Sequence, residues 1–198
     1  MQILKKACGA YGTNCYILKS EQGDFVIDPG DGAFDFVKQN ATEVKAILNT
    51  HGHFDHVWDN EAVKRHFKAP IYIHKFDEFM LSDPFGMGHE HSKADVLITD
   101  ENEFDISGVK FKFLLFPGHT PGCCMIELVG EGLAFSGDFL FQGSIGRYDF
   151  PYSDANLMKQ SLERVASFKD ELRLLPGHGG ETTLKTEQAH LDFWLRNF

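Results

Sequence analysis

The sequence predicts an α/β protein built as a four-layer αββα sandwich, with two sheets face to face and helices on both outer sides. Two observations lead to this prediction. Apolar strand-like segments and helical patterns alternate in two successive halves of the chain, so each half forms a sheet covered by helices on one side. Several strands also end in Gly beside a His or Asp side chain, which places these turns together at one edge.

The first half of the chain contains the first predicted sheet. Its strands are expected at 2–6, 14–19, 24–28, 44–48 and 71–73, with helices at 33–39, 57–67 and 75–81. Asp28 ends one strand, where it either orients a metal-binding histidine or caps a turn. The segment 82–91 is rich in Gly and Pro and lacks periodicity. We expect a lid there, with His89 and His91 in solvent.

The second half repeats this organisation without clear sequence identity. Strands are expected at 103–106, 109–116, 123–129, 133–136 and 172–175, and helices at 155–167 and 186–195. Gly-containing hairpin turns at 107–108 and 130–132 join the strands of this half. With 198 residues, of which 42% are hydrophobic, the chain can bury a core as one catalytic domain spanning 1–198.

Metal-ligand side chains are concentrated directly after the strand at 44–48, where His51, His53, Asp55 and His56 lie within six residues. His51 and His53 are two apart, so both rings lie on the same side of an extended segment and can bind one ion. Asp55 and His56 are adjacent and diverge, which suits a second ion. A His-rich surface loop is the alternative, because a short pattern does not by itself exclude it.

Three later strands each end at a further residue of the ligand type. His119, Asp138 and His178 follow the strands at 109–116, 133–136 and 172–175, and each stands next to Gly. A single His or Asp in a turn is more often a cap or a solvated group than a ligand. Three of them after the cluster at 51–56 make that coincidence improbable, and we expect all of them at one site.

Seven candidate ligands are too many for one tetrahedral ion, which takes about four. We therefore expect two divalent ions. Their ligands would be His51, His53 and His119 for the first and Asp55, His56 and His178 for the second, with Asp138 bridging both. A water or hydroxide would be the other bridge. Water bound in this way loses its proton near neutral pH, and paired ions polarise the bond under attack, so the ligand set predicts a hydrolase.

These motifs resemble the metallo-β-lactamase superfamily. The segments that carry the resemblance are His51-x-His53-x-Asp55-His56, Gly118-His119-Thr120-Pro121-Gly122, Gly137-Asp138 and Pro176-Gly177-His178-Gly179. Residues 141–151 and 179–184 further resemble compact glyoxalase II-like hydrolases, which cleave glutathione thioesters such as S-lactoylglutathione to glutathione and D-lactate. The resemblance implies an αββα sandwich with a binuclear centre, usually of zinc and sometimes of iron or manganese.

Thioester hydrolysis is the reaction that this resemblance implies. The bridging hydroxide would attack the acyl carbon and the thiolate would leave, so no separate protonated acid is required. Asp55 would bind the second ion and orient the hydroxide, which makes it the expected catalytic residue. Full-length glyoxalase II enzymes carry a C-terminal helical domain that supplies much of the glutathione pocket, whereas this sequence ends about twenty residues after His178.

Arg147 and Tyr148 are the expected substrate contacts. Arg147 aligns with a basic position that the longer enzymes use to hold glutathione, and an Arg fork suits a carboxylate. The alternative for Arg147 is a structural ion pair with Asp149 or another acid.

Other reactions and roles remain open at this stage. The Gly-Arg-x-Asp-Phe element also occurs in persulfide dioxygenases, which use a single iron held by two His and one Asp and act on glutathione persulfide. Hydrolysis of another small ester, lactone or amide, and metal binding without catalysis, are further alternatives. His and Asp bind zinc, iron and manganese alike, so the sequence does not identify the metal.

Charge and composition indicate which classes of binding partner to expect. A net charge of −10 leaves no basic face for a phosphate backbone, so we expect no nucleic acid and a small-molecule substrate. No apolar run approaches the length of a membrane span, so we expect neither membrane binding nor export, and a cytoplasmic protein. The four cysteines show no Cys-x-x-Cys spacing and are expected to be reduced. The oligomeric state is not predicted.

Overall fold

Two six-stranded sheets lie face to face at the centre of the protein, which a computed structural model describes over residues 1–198. The strands of the first sheet, in their order across it, are β1 (Gln2–Cys8), β2 (Thr13–Ser20), β3 (Gly23–Ile27), β4 (Val44–Leu48), β5 (Ile71–His74) and β6 (Val96–Ile98). β2 is antiparallel to both of its neighbours, β1 and β3, and β3 to β6 are parallel. The helices of this half are α1 (Ala33–Asn40), α2 (Phe54–Val57) and α3 (Asn60–Phe67), followed by a 3-10 helix at Glu78–Ser82.

The second sheet is mostly antiparallel. Its strands are β7 (Glu103–Ile106), β8 (Val109–Leu115), β9 (Cys124–Leu128), β10 (Leu133–Gly137), β13 (Arg173–Pro176) and β14 (Thr182–Thr183), and their order across the sheet is β14-β13-β10-β9-β8-β7. A small hairpin, β11 (Leu140–Phe141) and β12 (Ser144–Ile145), follows β10. The helices of this half are α4 (Ala155–Ala166), α5 (Leu184–Gln188) and α6 (Leu191–Leu195). None of the helices has both the length and the apolar character needed to span a bilayer.

Successive side chains along each strand point to opposite faces of the sheet, and this alternation forms the layers of the sandwich. Tyr16 and Phe25 of the first sheet face Phe111, Phe113 and Phe135 of the second, and all five side chains are buried between the sheets. The alternate residues of each sheet pack outward against helices. The first sheet contacts α1 and α3, and the second contacts α4, α5 and α6. The predicted αββα sandwich is confirmed.

Several element boundaries differ from the sequence prediction. The expected helix at 57–67 is interrupted between α2 and α3, because the Asp59 backbone N–H donates to the Pro29 carbonyl at 2.9 Å and not to a carbonyl one turn earlier in the helix. The expected helix at 186–195 is likewise divided into α5 and α6, and α5 begins at Leu184 because Thr183 caps it. The strands β6, β11, β12 and β14, which the sequence did not reveal, have only two or three residues each.

The strands bring all the ligand-bearing turns to one edge of the sandwich. β3 and β4 are parallel, as are β10 and β13, so their carboxyl ends meet. Backbone hydrogen bonds join the two sheets at this edge, from Asn14 N to Gly177 O at 2.7 Å and from Cys124 N to Thr50 O at 2.8 Å. The turn after β4 therefore lies directly against the turns of the second sheet.

Replacement of Phe135 with Ala will test the central layer. The Phe135 ring is fully buried, with its centroid 5.4 Å from that of Tyr16. We expect the free energy of unfolding to fall by about 3–5 kcal/mol, because a large cavity is left between the sheets. Urea denaturation at constant metal content measures this loss. Phe193→Ala is the control, because Phe193 is 63% exposed and its loss should change stability by less than about 0.5 kcal/mol. Equal effects of the two variants would contradict the proposed central core.

Candidate metal centre

Three buried histidines form the first group of metal-ligand side chains. His51 and His53 come from the turn after β4, and His119 comes from the turn after β8. One nitrogen of each ring lies within 4.8 Å of the other two. His53 Nδ1 is 2.8 Å from His119 Nε2, and His51 Nε2 is buried without a hydrogen-bond partner. An unpartnered buried nitrogen beside two others is a cost to folding unless a cation occupies the space between them.

A second group lies on the other side of His51. It consists of Asp55 and His56 in α2 and His178 after β13, again with their ligand atoms within 4.8 Å of one another. His178 Nε2 is 3.4 Å from both Asp55 Oδ2 and His56 Nε2. Asp55 is held from outside by the Thr13 hydroxyl, which donates to Oδ2 at 2.6 Å.

Asp138 lies between the two groups. Its Oδ1 is 3.3 Å from His56 Nε2, and its Oδ2 is 3.5 Å from His119 Nε2 and 3.3 Å from His178 Nε2. Gly177 allows this approach, because a Cβ atom there would collide with Asp138 Oδ1 and with His56. The carboxylate can therefore serve both groups.

The outer nitrogens of four histidines are hydrogen-bonded, which turns their Nε2 atoms inward. Asp28 accepts from His56 Nδ1 at 3.0 Å and from the Thr50 hydroxyl at 2.6 Å, and the Thr50 oxygen lies 3.1 Å from His51 Nδ1. Asp28 therefore orients His56 directly and His51 through Thr50, which is one of the two roles that the sequence left open for it.

Backbone carbonyls orient the rings of the other two histidines, His119 and His178. His119 Nδ1 donates to the Arg147 carbonyl at 2.7 Å, and His178 Nδ1 lies 3.2 Å from the Tyr11 carbonyl. Such outer partners select the ring tautomer and raise the basicity of the inward nitrogen. The donor set fits two divalent ions bound by His and carboxylate groups.

The ionisation of the site favours cations. Burial lowers the pKa of His51 well below its usual range and that of His53 to about 3, so both rings are neutral and can act as ligands. Burial also lowers the pKa of His178, but hydrogen bonds with Asp138 and Asp55 outweigh it and raise the value to about 9. Without metal the second group thus holds a proton on His178, in the position where a cation would be bound.

Asp77 supports the first group and was missed by the sequence reasoning. Its fully buried carboxylate accepts hydrogen bonds from Gly52 N at 3.0 Å, the Thr120 hydroxyl at 2.6 Å and Gly122 N at 2.5 Å. Asp77 thus joins the turn that carries His51 and His53 to the turn that carries His119. The only signal in the sequence was a carboxylate three residues after β5.

A cavity of about 310 Å³ opens above these groups. Its aromatic and apolar lining residues are Tyr11, Phe54, Phe85, Met87, Phe150 and Pro151. Phe85 and Met87 come from the predicted lid segment. His89 of that segment is buried, with its ring 6.0 Å from that of Trp58, so the expectation of a solvated side chain was wrong.

The two expected substrate contacts do not line this cavity. The Arg147 guanidinium is exposed, pairs with Asp149 at 2.8 Å and lies 4.2 Å from the centroid of the Phe150 ring. Tyr148 packs against Phe198, with ring centroids 4.6 Å apart, on the side of the C-terminal helices. Their contact with substrate stays a prediction.

Proteins of known family resemble this chain over nearly all of its length. The sequence profile of the metallo-beta-lactamase superfamily matches residues 8–178. Hydroxyacylglutathione hydrolase GloC of Haemophilus influenzae is 32% identical over 198 residues, which covers 93% of this chain and 93% of that protein. The probable metallo-hydrolase YqgX of Bacillus subtilis is 31% identical over 197 residues, with the same coverage of both.

Solved structures show the same relationship. BLEG-1 B3 metallo-beta-lactamase has a TM-score of 0.88 at 30% identity, covering 97% of this chain and 99% of that one. TTHA1623 in a di-iron-bound form has a TM-score of 0.81 at 31% identity, with 93% and 96% covered. Because the profile match, the relatives and the structures all agree, the chain belongs to the metallo-β-lactamase superfamily of metal-dependent hydrolases.

Proposed function

We propose that this protein is a binuclear thioester hydrolase of the glyoxalase II type, which cleaves S-lactoylglutathione to glutathione and D-lactate. The observation that carries the proposal is the presence of two groups of three candidate ligands, with Asp138 in contact with members of both. A single ion takes about four ligands, so the presence of seven candidate ligands favours two ions over a mononuclear site such as that of a persulfide dioxygenase. The likeness to a hydroxyacylglutathione hydrolase supports the choice of a thioester bond.

Each group of candidate ligands would bind one metal ion. His51, His53 and His119 would bind one ion, Asp55, His56 and His178 the other, and Asp138 both. Two divalent ions supply a water of lowered pKa and polarise the carbonyl of the bond that is cut. Zinc is our choice, with iron or manganese as the alternatives, because the same donors bind all three.

Asp55 is the group that we assign to orienting the attacking water. Its carboxylate lines the cavity, and the Thr13 hydroxyl fixes one oxygen at 2.6 Å. A carboxylate held in this way can accept a hydrogen bond from the water and direct its lone pair toward the acyl carbon. Glutathione leaves as a thiolate, which is a good leaving group, so this reaction requires no dedicated protonated acid.

Metal analysis together with a thiol-release assay tests the proposal. Protein purified without added metal should contain about two ions per chain and should release thiol from S-lactoylglutathione under anaerobic conditions. Asp55→Ala should lower the rate on the order of 10²-fold and bring the metal content toward one ion. The exposed Asp170 provides the matched control, Asp170→Ala, with unchanged rate and metal. One iron per chain, with oxygen uptake on glutathione persulfide and no thiol release, would overturn the proposal.

A further inference from the structure

A second, smaller pocket of about 140 Å³ lies beside the cavity above the metal-ligand groups. Its wall is formed by Cys8, Ala10, Tyr11, Phe54, Trp58 and Met87. We call it the side pocket. Four residues line both spaces, namely Tyr11, Phe54, Asp55 and Met87. The side pocket therefore adjoins the cavity at the Phe54 ring, next to the carboxylate that we assign to orienting water.

Aromatic rings shape the boundary between the two spaces. Phe54 meets Tyr11 edge-to-face with centroids 5.1 Å apart, and Trp58 lies 6.3 Å beyond Phe54. Ring walls of this kind bind flat or branched apolar groups, because they offer large apolar area at fixed geometry. A methyl group, as in the lactoyl substrate, is too small to fill such a space.

The charges around the side pocket disfavour an anionic group. Its charged lining residues are Asp31 and Asp55, and neither space is lined by Lys or Arg. The basic residue beside the cavity mouth, Arg147, lies on the Phe150 ring and pairs with Asp149. The glutathione portion carries two carboxylates and is far larger than the side pocket. It must therefore occupy the open cavity and its mouth, which leaves the side pocket to the acyl group.

We propose that the side pocket binds the acyl group of the thioester, and that the preferred acyl group is uncharged and bears an aromatic or branched apolar substituent larger than methyl. The inference rests on the proposed thioesterase function and adds the class of substrate. It assigns Trp58, Met87 and Ala10 as residues that determine acyl specificity.

Two substrates that differ only in this substituent test the inference. S-mandeloylglutathione carries a phenyl group where S-lactoylglutathione carries a methyl group, and the thiol is the same. We expect kcat/KM for the mandeloyl thioester to be at least about 10-fold higher, because filling an apolar pocket contributes at least this much discrimination. Ala10→Leu should reduce the ratio of the two kcat/KM values to near one, since the larger side chain fills the side pocket.

The controls separate failure of the inference from failure of the function. Ala166→Leu makes the same change at the end of α4, at a residue that is exposed like Ala10 but lines neither space, and should keep the wild-type ratio. Hydrolysis of both thioesters at similar kcat/KM, or a ratio that Ala10→Leu does not change, overturns the acyl assignment while the hydrolase stands. Release of thiol from neither substrate overturns both.

Fluorescence provides a second measurement that does not depend on turnover. The chain has two tryptophans, and Trp58 lines the side pocket. In a Trp194→Phe background, mandelate should change the Trp58 emission saturably and lactate should not, and Ala10→Leu should abolish the change. Emission that responds equally to lactate and mandelate would overturn the assignment.

Discussion

Replacement of Asp138 with Ala is expected to remove both metals and lower kcat/KM by roughly 10³-fold. Asp138 contacts candidate ligands of both groups, at 3.3 Å from His56 and His178 and 3.5 Å from His119. Its loss removes a shared ligand and leaves two positively charged sites without the anion between them. The effect should therefore exceed the one-ion loss expected for Asp55→Ala. Elemental analysis and the thiol-release assay measure the two consequences.

The control for this experiment is the same Asp-to-Ala substitution at a position away from the candidate metal centre. Asp170→Ala removes a carboxylate from an exposed site and should retain both ions and the wild-type rate. The folded state of each variant can be checked by circular dichroism. An Asp138→Ala protein that keeps two ions per chain and more than a tenth of the activity would show that Asp138 does not bridge the two groups.

The sandwich and the ligand turns were accessible from sequence because both depend on local patterns. Strand alternation such as that around Tyr16 and Phe113 marks buried faces, and a Gly after an apolar strand marks its end. The candidate ligands are strong signals because His and Asp at such spacing have few other uses. Where these patterns failed, as in the helix expected at 57–67, a contact with another part of the chain decided the result, here the hydrogen bond from the Asp59 backbone N–H to the Pro29 carbonyl.

The support of the site could not be predicted in the same way. Asp77 accepts hydrogen bonds from residues that lie 25, 43 and 45 positions away in the sequence, so no local pattern marks its role. His89 is similar. Its loop looks solvated by composition, but Asp83 accepts from Met87 N and Gly88 N and folds the loop so that His89 is covered. The side pocket likewise appears only when the Tyr11 turn and the Phe54 helix are brought together.

Replacement of Asp77 with Ala is expected to destabilise the protein by about 3 kcal/mol or more. Three buried donors, on Gly52, Thr120 and Gly122, lose their acceptor, and each unsatisfied donor costs about 1–3 kcal/mol. Urea denaturation of the metal-free protein measures the loss. Asp77→Asn should recover part of it, because the amide oxygen can still accept. An Asp77→Ala protein of wild-type stability would show that water replaces the carboxylate at no cost.

The same carboxylate gives a pH dependence of known sign. Burial raises the pKa of Asp77 from 3.8 to about 6, against the hydrogen bonds from Thr120, Gly122 and Gly52, which lower it. The folded state therefore holds this proton more tightly than the unfolded state does. The resulting stability is fully present below pH 3.8 and is lost as the pH rises through about 6.

The Asn variant has no such proton, so it isolates the effect from the histidines nearby. Between pH 4.5 and 7.5, the difference in unfolding free energy between Asp77→Asn and the wild type should move by about 2 kcal/mol in favour of the variant. Asp170→Asn should show no such movement, because the same change at an exposed position leaves buried charge unaltered. A constant difference for Asp77→Asn would mean that three hydrogen bonds fully compensate the buried charge.

Metal content should distinguish this role from a general loss of stability. Asp77 contacts the turns that carry His51, His53 and His119 and does not contact Asp55, His56 or His178. At temperatures where Asp77→Ala remains folded, the first ion should therefore be lost before the second, leaving about one ion per chain. Asp77→Asn should restore the first ion and bring the metal content back to about two ions per chain. Phe135→Ala, which weakens the fold away from these turns, should keep both ions, because lower stability alone does not separate the ligands of one group.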